Sequence, residues 1–281
     1  MADPWLHVLH EDEDLIVVDK PAGLVVHPSK AGEASSLIGR ARLHAGHRDV
    51  RLVNRLDRET SGIVIIARHA EAARELGRLF SHGHVRKRYL AVVQGALEGE
   101  HRIDAPLGRD DASPVAIKDA VRDDGAPAVT TVRAVGSFEE DGGTFTRVEI
   151  EPLTGRKHQI RIHLAHAGHP VVGDKIYGPD ETIYLRFVEG RMTADDAARL
   201  VLEFQALHAS EMAFTWRGRD WRFHAPPGDR GTSEAARIPP AGTTSGRVAG
   251  MAVMAGAGMS RAAAVDPERW LGRRRFSPAR A

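Results

Sequence analysis

The chain predicts an α/β (α+β) fold, a mixed and mostly antiparallel sheet flanked by helices and loops. Three observations carry that expectation. Short apolar runs of strand length, Leu15–Lys20 and residues 63–67, end at turn residues or charges. Turn chemistry with glycine, Asp141-Gly142-Gly143 and Arg217-Gly218-Arg219-Asp220, separates later runs as hairpins do. Between two strand patterns, residues 71–81 place Ala72, Leu76, Leu79 and Phe80 on one stripe of an amphipathic helix.

Taken in order, residues 15–20 read as a buried strand that Pro21-Ala22-Gly23 ends. Residues 24–28 continue as a second extended piece, and residues 37–43 suit a short helix. The central strand, residues 63–67, leads into the helix of residues 71–81, with Gly83 as its stop. Residues 84–95 form a basic entry into another strand. Alternation sets Lys87, Tyr89 and Ala91 on one face, with Arg88, Leu90 and Val92 on the other. Pro106, Gly108 and Pro114 make residues 102–124 loop-like. Residues 128–135 and 145–150 are strands. Thr154 is a candidate N-cap for a helix running to Gly168, with Ile160, Leu164 and Ala167 as its stripe and Lys157 one turn from Arg161. Residues 171–178 turn sharply. Residues 179–205 read as an inserted loop and helix opening at Thr193, and residues 212–216 and 221–223 close the ordered part as a hairpin. From about residue 229 the Ala, Gly, Pro, Ser and Arg content predicts a disordered basic tail, leaving one domain over residues 1–228.

The totals exclude several classes. A chain of 281 residues with 42% hydrophobic content can bury a sizeable core. No apolar run reaches membrane-spanning length, and the first residues lack the pattern of a secretory signal. Cysteine is absent, which excludes disulfides and thiolate chemistry and fits a reducing, cytoplasmic setting. A net charge of +1 is no global attraction to nucleic acid, so any RNA binding needs locally concentrated charge.

The stretch Asn54-Arg55-Leu56-Asp57-Arg58-Glu59-Thr60-Ser61-Gly62 sets one carboxylate between two guanidinium groups at the mouth of the central strand. Flanking positive charge favours the ionised form, which suits nucleophilic or electrostatic work better than general-acid work. Taken alone, such a motif is more often a salt-bridged surface turn.

Two further segments change that balance. Arg55-Leu56-Asp57-Arg58-Glu59-Thr60-Ser61-Gly62 resembles the catalytic motif of the RluA-type pseudouridine synthases. Lys87-Arg88-Tyr89-Leu90-Ala91-Val92-Val93-Gln94-Gly95 resembles their tyrosine motif. Thr154-Gly155-Arg156-Lys157-His158-Gln159-Ile160-Arg161-Ile162-His163-Leu164 resembles their arginine motif, and the three stand in the family's order. The opening residues 13–24 and the later His169-Pro170-Val171-Val172-Gly173-Asp174 are similar to the family too, so the resemblance covers about residues 8–228. It implies isomerisation of uridine to pseudouridine in structured RNA, ribosomal or transfer, on the family's sheet, with no metal and no organic cofactor. It implies Asp57 as the catalytic carboxylate. It implies Tyr89 stacked on the target base with a share in later proton removal, and Arg161 paired with Asp57. Arg58 would displace or hold the flipped base. RNA contacts fall to Arg55, Arg58, Lys87, Arg156, Lys157 and His158. No DNA or membrane partner is implied, and the expected state is a monomer. Two departures stand out. Asn54 occupies a position where the family often has His, and the family often carries an N-terminal S4-type RNA-binding module whereas the catalytic region here begins almost at once, so substrate choice is expected to rest on the catalytic domain, its loops and the tail.

Other readings are weaker. His163, His166 and His169 recur every three residues, but that spacing does not converge on one tight helical face to ligate a metal. Asp57 and Glu59, two residues apart, need not face each other across a sugar as glycosidase carboxylates do. Arg156 competes with Arg161 as the partner of Asp57. Lys20 and Lys87 read as solvated or phosphate-facing. A non-catalytic RNA-binding factor gains nothing from an anion at its phosphate-facing centre.

Overall fold

The computed structural model describes Asp3 and residues 5–27, 33–140 and 143–228. The chain runs β1 (His7–Glu11), β2 (Leu15–Lys20), α1 (Leu37–Ala45), β3 (Arg51–Leu52), β4 (Ser61–Ala67), α2 (Ala70–Ser81), β5 (Arg86–Gln94), β6 (Glu100–Asp104), β7 (Leu107–Arg109), β8 (Asp119–Val121), β9 (Val129–Glu140), β10 (Gly143–Pro152), α3 (Gln159–His166), α4 (Thr182–Val188), α5 (Ala194–Leu200), β11 (Leu207–Trp216) and β12 (Arg219–His224). Ten strands form the main sheet in the order β1-β2-β4-β11-β5-β10-β9-β6, with β12 added to β11 and β3 to β4; β7 and β8 pair separately. Every strand pair of that sheet is antiparallel except β4 with β11. The expected mixed, mostly antiparallel sheet is therefore the observed one.

The unbroken apolar runs of β2 and β4 follow from burial on both faces. Side chains alternate across a strand. Leu15, Val17, Ile63 and Ile65 pack on one side with Ala72 and Leu76 of α2 and with Met212 and Phe214 of β11. Ile16, Val18, Val64 and Ile66 pack on the other with Leu37, Ile38 and Ala41 of α1. Leu76 is fully buried, which contributes about 2 kcal/mol. The other half of the sheet buries Val92, Val148 and Ile150 against Ile160 and Leu164 of α3. Tyr89 packs against both this cluster and the one under α1.

The parallel contact depends on one glycine. Gly62 has φ +108°, and a Cβ there would stand 2.3 Å from the Ala209 carbonyl oxygen. Only a residue without a side chain lets β4 approach β11 this closely. The pairing sets Ser61 opposite His208, whose Nδ1 is 2.9 Å from the Ser61 hydroxyl.

Several expectations need correction. Residues 24–27 form no strand; Val25 makes only a single bridge to Ser36. The 102–124 segment is not all loop, because its non-local edges pair as β6 on β9 and as β7 on β8. The inserted segment holds two helices, and Thr193 does cap the second, in a reciprocal box with Asp196. The final hairpin turns on two residues alone, Arg217 (φ 50°) and Gly218 (φ 72°), so Arg219 and Asp220 join β12. Glu140 pairs with Gly143 across the β9–β10 hairpin. The expected turn residues Asp141 and Gly142, Pro28 of the expected extended piece and the predicted tail from residue 229 lie outside the described residues.

Candidate active site

The loop before β4 is held residue by residue from distant parts of the chain. Lys20, fully buried, donates from Nζ to the carbonyls of Pro21 (2.8 Å), Leu24 (2.9 Å) and Arg58 (3.0 Å). Gly23 N also donates to the Arg58 carbonyl, at 2.9 Å. Glu59 accepts from Lys175 Nζ on both oxygens at 2.9 Å, and Gln205 donates to the Thr60 hydroxyl at 2.6 Å. Asn54 acts as a short piece of backbone beside β4: its Oδ1 accepts from Ile65 N at 2.7 Å and its Nδ2 donates to Ile63 O at 3.3 Å. These ties fix where the Asp57 carboxylate points.

Asp57 accepts from Arg161 Nη1 at 2.9 Å on Oδ2. Its Oδ1 receives no hydrogen bond among the described residues; His158 Nε2 stands 3.8 Å from it. Arg161 is aimed by Asp174, which is fully buried and accepts from its Nε at 2.6 Å and its Nη2 at 2.8 Å. Asp174 Oδ1 also accepts from the backbone of Ile176 (2.9 Å) and Tyr177 (3.0 Å). Burial alone would raise the Asp174 carboxyl; the Arg161 charge and these donors overcome it and hold it below the usual range. Burial opposes the Arg161 charge, but the Asp174 and Asp57 carboxylates keep it.

Helix α3 begins five residues later than Thr154. His158 stands at its cap with φ 55°, in the left-handed region, and Thr154 instead donates to Gln159 Oε1 (2.7 Å) and accepts from Val129 N (2.9 Å). Burial, then the Arg161 charge, bring the His158 imidazole down to about 4, so it is neutral at pH 7. Tyr177 OH accepts from Asp119 N at 3.1 Å and lies 2.9 Å from His158 Nδ1, which leaves Nε2 as the ring nitrogen that faces Asp57.

Tyr89 comes from β5 and shares with Asp57, Lys87, His158 and Arg161 the walls of a chamber of about 100 Å³. Its hydroxyl has no hydrogen-bond partner among the described residues. Burial, then the Asp57 anion, push the phenol well above its ordinary value, so it stays protonated. The three segments that carried the resemblance thus meet at one point, although Asp57 and Arg161 lie 104 residues apart.

The remaining predicted residues divide. Arg156 lines the chamber but donates to the Pro127 carbonyl (3.1 Å), so Arg161 alone of the two competitors touches Asp57. The flanking Arg55 and Arg58 do not pair with Asp57 either. Arg55 is exposed and has no ion-pair partner among the described residues, while Arg58 donates to the Gly23 carbonyl at 3.2 Å. Lys87 is partly buried and donates to the Thr154 carbonyl (3.3 Å); burial lowers its pKa. Lys157 precedes the helix and pairs with Asp119 at 2.9 Å. Lys20, read as solvated or phosphate-facing, is neither. His163 is a core residue whose ring nitrogens meet Thr130 Oγ1 (2.8 Å) and Ala105 O (3.0 Å). Sequence reasoning missed Asp174, Tyr177 and Lys175. A signal was present for Asp174, which closes the family-like stretch of residues 169–174, but it was given no role.

Comparison with known proteins adds independent findings. The family model described as RNA pseudouridylate synthase matches residues 14–166. A ribosomal large subunit pseudouridine synthase D of Nitrosomonas europaea is 38% identical over 217 residues, covering 75% of this chain and 58% of that relative. A dual-specificity RNA pseudouridine synthase RluA of Vibrio parahaemolyticus is 33% identical over 221 residues, covering 78% of this chain and 81% of that relative. The solved structure of Human RNA Pseudouridylate Synthase Domain Containing 1 superposes with a TM-score of 0.63 at 26% identity, over 79% of this chain and 83% of that one. The chain spans less than two thirds of the length of the Nitrosomonas relative.

Proposed function

The chain belongs to the RNA pseudouridylate synthase family, and from that premise we propose that it isomerises uridine in RNA to pseudouridine. In that reaction the N1–C1′ bond breaks and a C5–C1′ bond forms. C5 loses a proton and N1 gains one, so no co-reactant is consumed. Residues 1–228 would act as one catalytic domain, a cytoplasmic monomer working on ribosomal or transfer RNA. No helix among the described residues is long and apolar enough to cross a membrane.

The observation that carries this reading is the Asp57 carboxylate, one oxygen held by Arg161 and the other open to the chamber that Tyr89 walls. A base inside folded RNA must leave its stack before chemistry and needs an aromatic or apolar wall to receive it. Asp57 acts as an anion whether it attacks C1′, attacks uracil C6 or removes a ribose proton. The protonated Tyr89 phenol serves as a stacking ring and hydrogen-bond donor. That narrows the proton-removal role the resemblance implied, since a neutral phenol is a poor base. Arg55 and Arg58, exposed beside the chamber, are the readiest phosphate contacts; Lys87, Arg156, Lys157 and His158 complete the surface the RNA would cover.

Asp57→Asn is the direct test. Incubated with ribosomal and transfer RNA, the wild-type protein should form pseudouridine and the variant should lose at least about a thousandfold in rate, the scale of removing a reacting group. Equal rates would remove Asp57 from the chemistry.

A further inference from the structure

A second chamber opens on the other side of Asp57. It holds about 330 Å³ and shares Arg55, Leu56, Asp57, His158 and Arg161 with the first, so the two adjoin across the carboxylate. Its far wall is unlike the first. Tyr184, Phe187 and Val188 of α4 face Val26 and Ile117. Val188 is 63% exposed and Ile117 43% exposed, so two large apolar side chains stand open to water beside a charged centre. Exposed apolar groups gathered at one pocket mark a binding surface more than scattered ones do.

That wall is built rather than loose. Arg186 of α4 reaches Asp196 of α5 with two hydrogen bonds, from Nε at 2.8 Å and from Nη2 at 2.5 Å, and Asp196 closes the capping box with Thr193. Tyr184 and Leu185 pack on the cluster of Val115, Ile162, Ile176 and Tyr177. The Phe187 ring also lies beside two cations, Lys175 Nζ 5.0 Å and the Arg58 guanidinium 5.6 Å from its centroid; Glu59 pairs with Lys175, so Arg58 carries the net positive charge there. An aromatic ring among cations suits a group that is flat and apolar at one end and anionic at the other. A nucleotide has that chemistry.

We propose that segment 179–205 builds a second base-binding subsite, in which the base of the nucleotide next to the target uridine stacks on Phe187 while Arg58 and Arg55 meet its phosphate. The proposal rests on the reading of the chain as an enzyme acting on RNA. Two chambers on either side of one carboxylate then hold consecutive nucleotides, the target against Tyr89 and its neighbour against Phe187. The segment so acquires a part in substrate choice, because bases differ in how well they stack.

The test starts from a ribosomal RNA transcript on which the wild-type protein is shown to form pseudouridine, shortened to a stem-loop around that uridine. Phe187→Ala should raise KM about tenfold while kcat stays within about twofold, the size expected for one lost stacking contact. Replacing either nucleotide adjacent to the target by an abasic residue should, at one of the two positions, impose the same penalty on wild type and no further penalty on F187A. Phe187→Leu keeps the apolar wall without the flat ring and should behave as F187A does, with an unchanged melting temperature that excludes a folding defect. Penalties that add at every position, or normal kinetics for both variants, would overturn the subsite and leave the enzyme reading intact; an apolar protein partner would then be the better occupant. A wild-type protein that modifies no RNA would bring down both.

Discussion

Replacing Asp174 with Asn leaves the Arg161 guanidinium buried without its main counter-charge. Arg161 is 5% exposed, and Asp174 holds two of its nitrogens at 2.6 and 2.8 Å. An Asn in that place offers one acceptor and turns an NH₂ toward donors. Breaking a buried pair from one side costs roughly 3–5 kcal/mol, against a total stability of about 5–15 kcal/mol for a typical domain. With an m value of about 3 kcal/mol/M in urea, the midpoint should fall by roughly 1–2 M. The comparison that makes this informative is D57N. There Arg161 keeps both bonds to Asp174, so the stability loss should stay under about 1 kcal/mol while activity collapses. D174N should lose activity as well, because the guanidinium is no longer aimed at Asp57. Urea unfolding followed by fluorescence of the tryptophans, beside a pseudouridine assay on the same preparations, reads both quantities. Equal destabilisation by the two variants, or a D174N loss below 1 kcal/mol, would show that Asp174 does not support the site. The pH dependence has a definite sign. The Asp174 carboxyl is held below its unfolded value of 3.8, so its contribution is complete above that pH and disappears as pH falls through the lowered value.

Lys20→Met should cost about 3 kcal/mol in urea unfolding, because three carbonyls lose a buried donor. It should also lower kcat through the freed Arg58 carbonyl; a variant with wild-type stability would contradict the assigned geometry. Burial brings the His208 imidazole down to about 4, against an ordinary 6.5. The unfolded chain therefore binds a proton the folded chain does not, and stability should fall as pH drops from 6.5 to 4, by up to about 3 kcal/mol from this group. His208→Gln should flatten that part of the stability curve, and an unchanged slope would assign the loss elsewhere. Gly62→Ala should destabilise by more than about 3 kcal/mol, since its Cβ would collide with the Ala209 carbonyl and its φ is unfavourable; calorimetry that finds less than 1 kcal/mol would mean that β4 and β11 can separate freely.

Much of the sheet was legible in the residues themselves. Apolar runs bounded by turns located β2 and β4, a hairpin signal flanked by strand patterns located β10, and a 3.6-residue stripe located α2 to within a residue, because periodicity and turn chemistry act over a few neighbours. The three segments that meet at the site were likewise legible by their motifs. What they touch was not. Arg161 rather than Arg156 reaches Asp57 because α3 starts after a left-handed His158, a choice made by contacts to β9 and to the 173–178 turn. Lys20 was misread because nothing in Asp19-Lys20-Pro21 announces three carbonyls arriving from two loops. Local sequence determined which pieces are strand, helix and turn, and which carboxylate stands at a strand mouth. Only the tertiary structure decided which charges are buried, which are paired and which atom of Asp57 stays free, because burial and pairing depend on groups brought together from more than a hundred residues away.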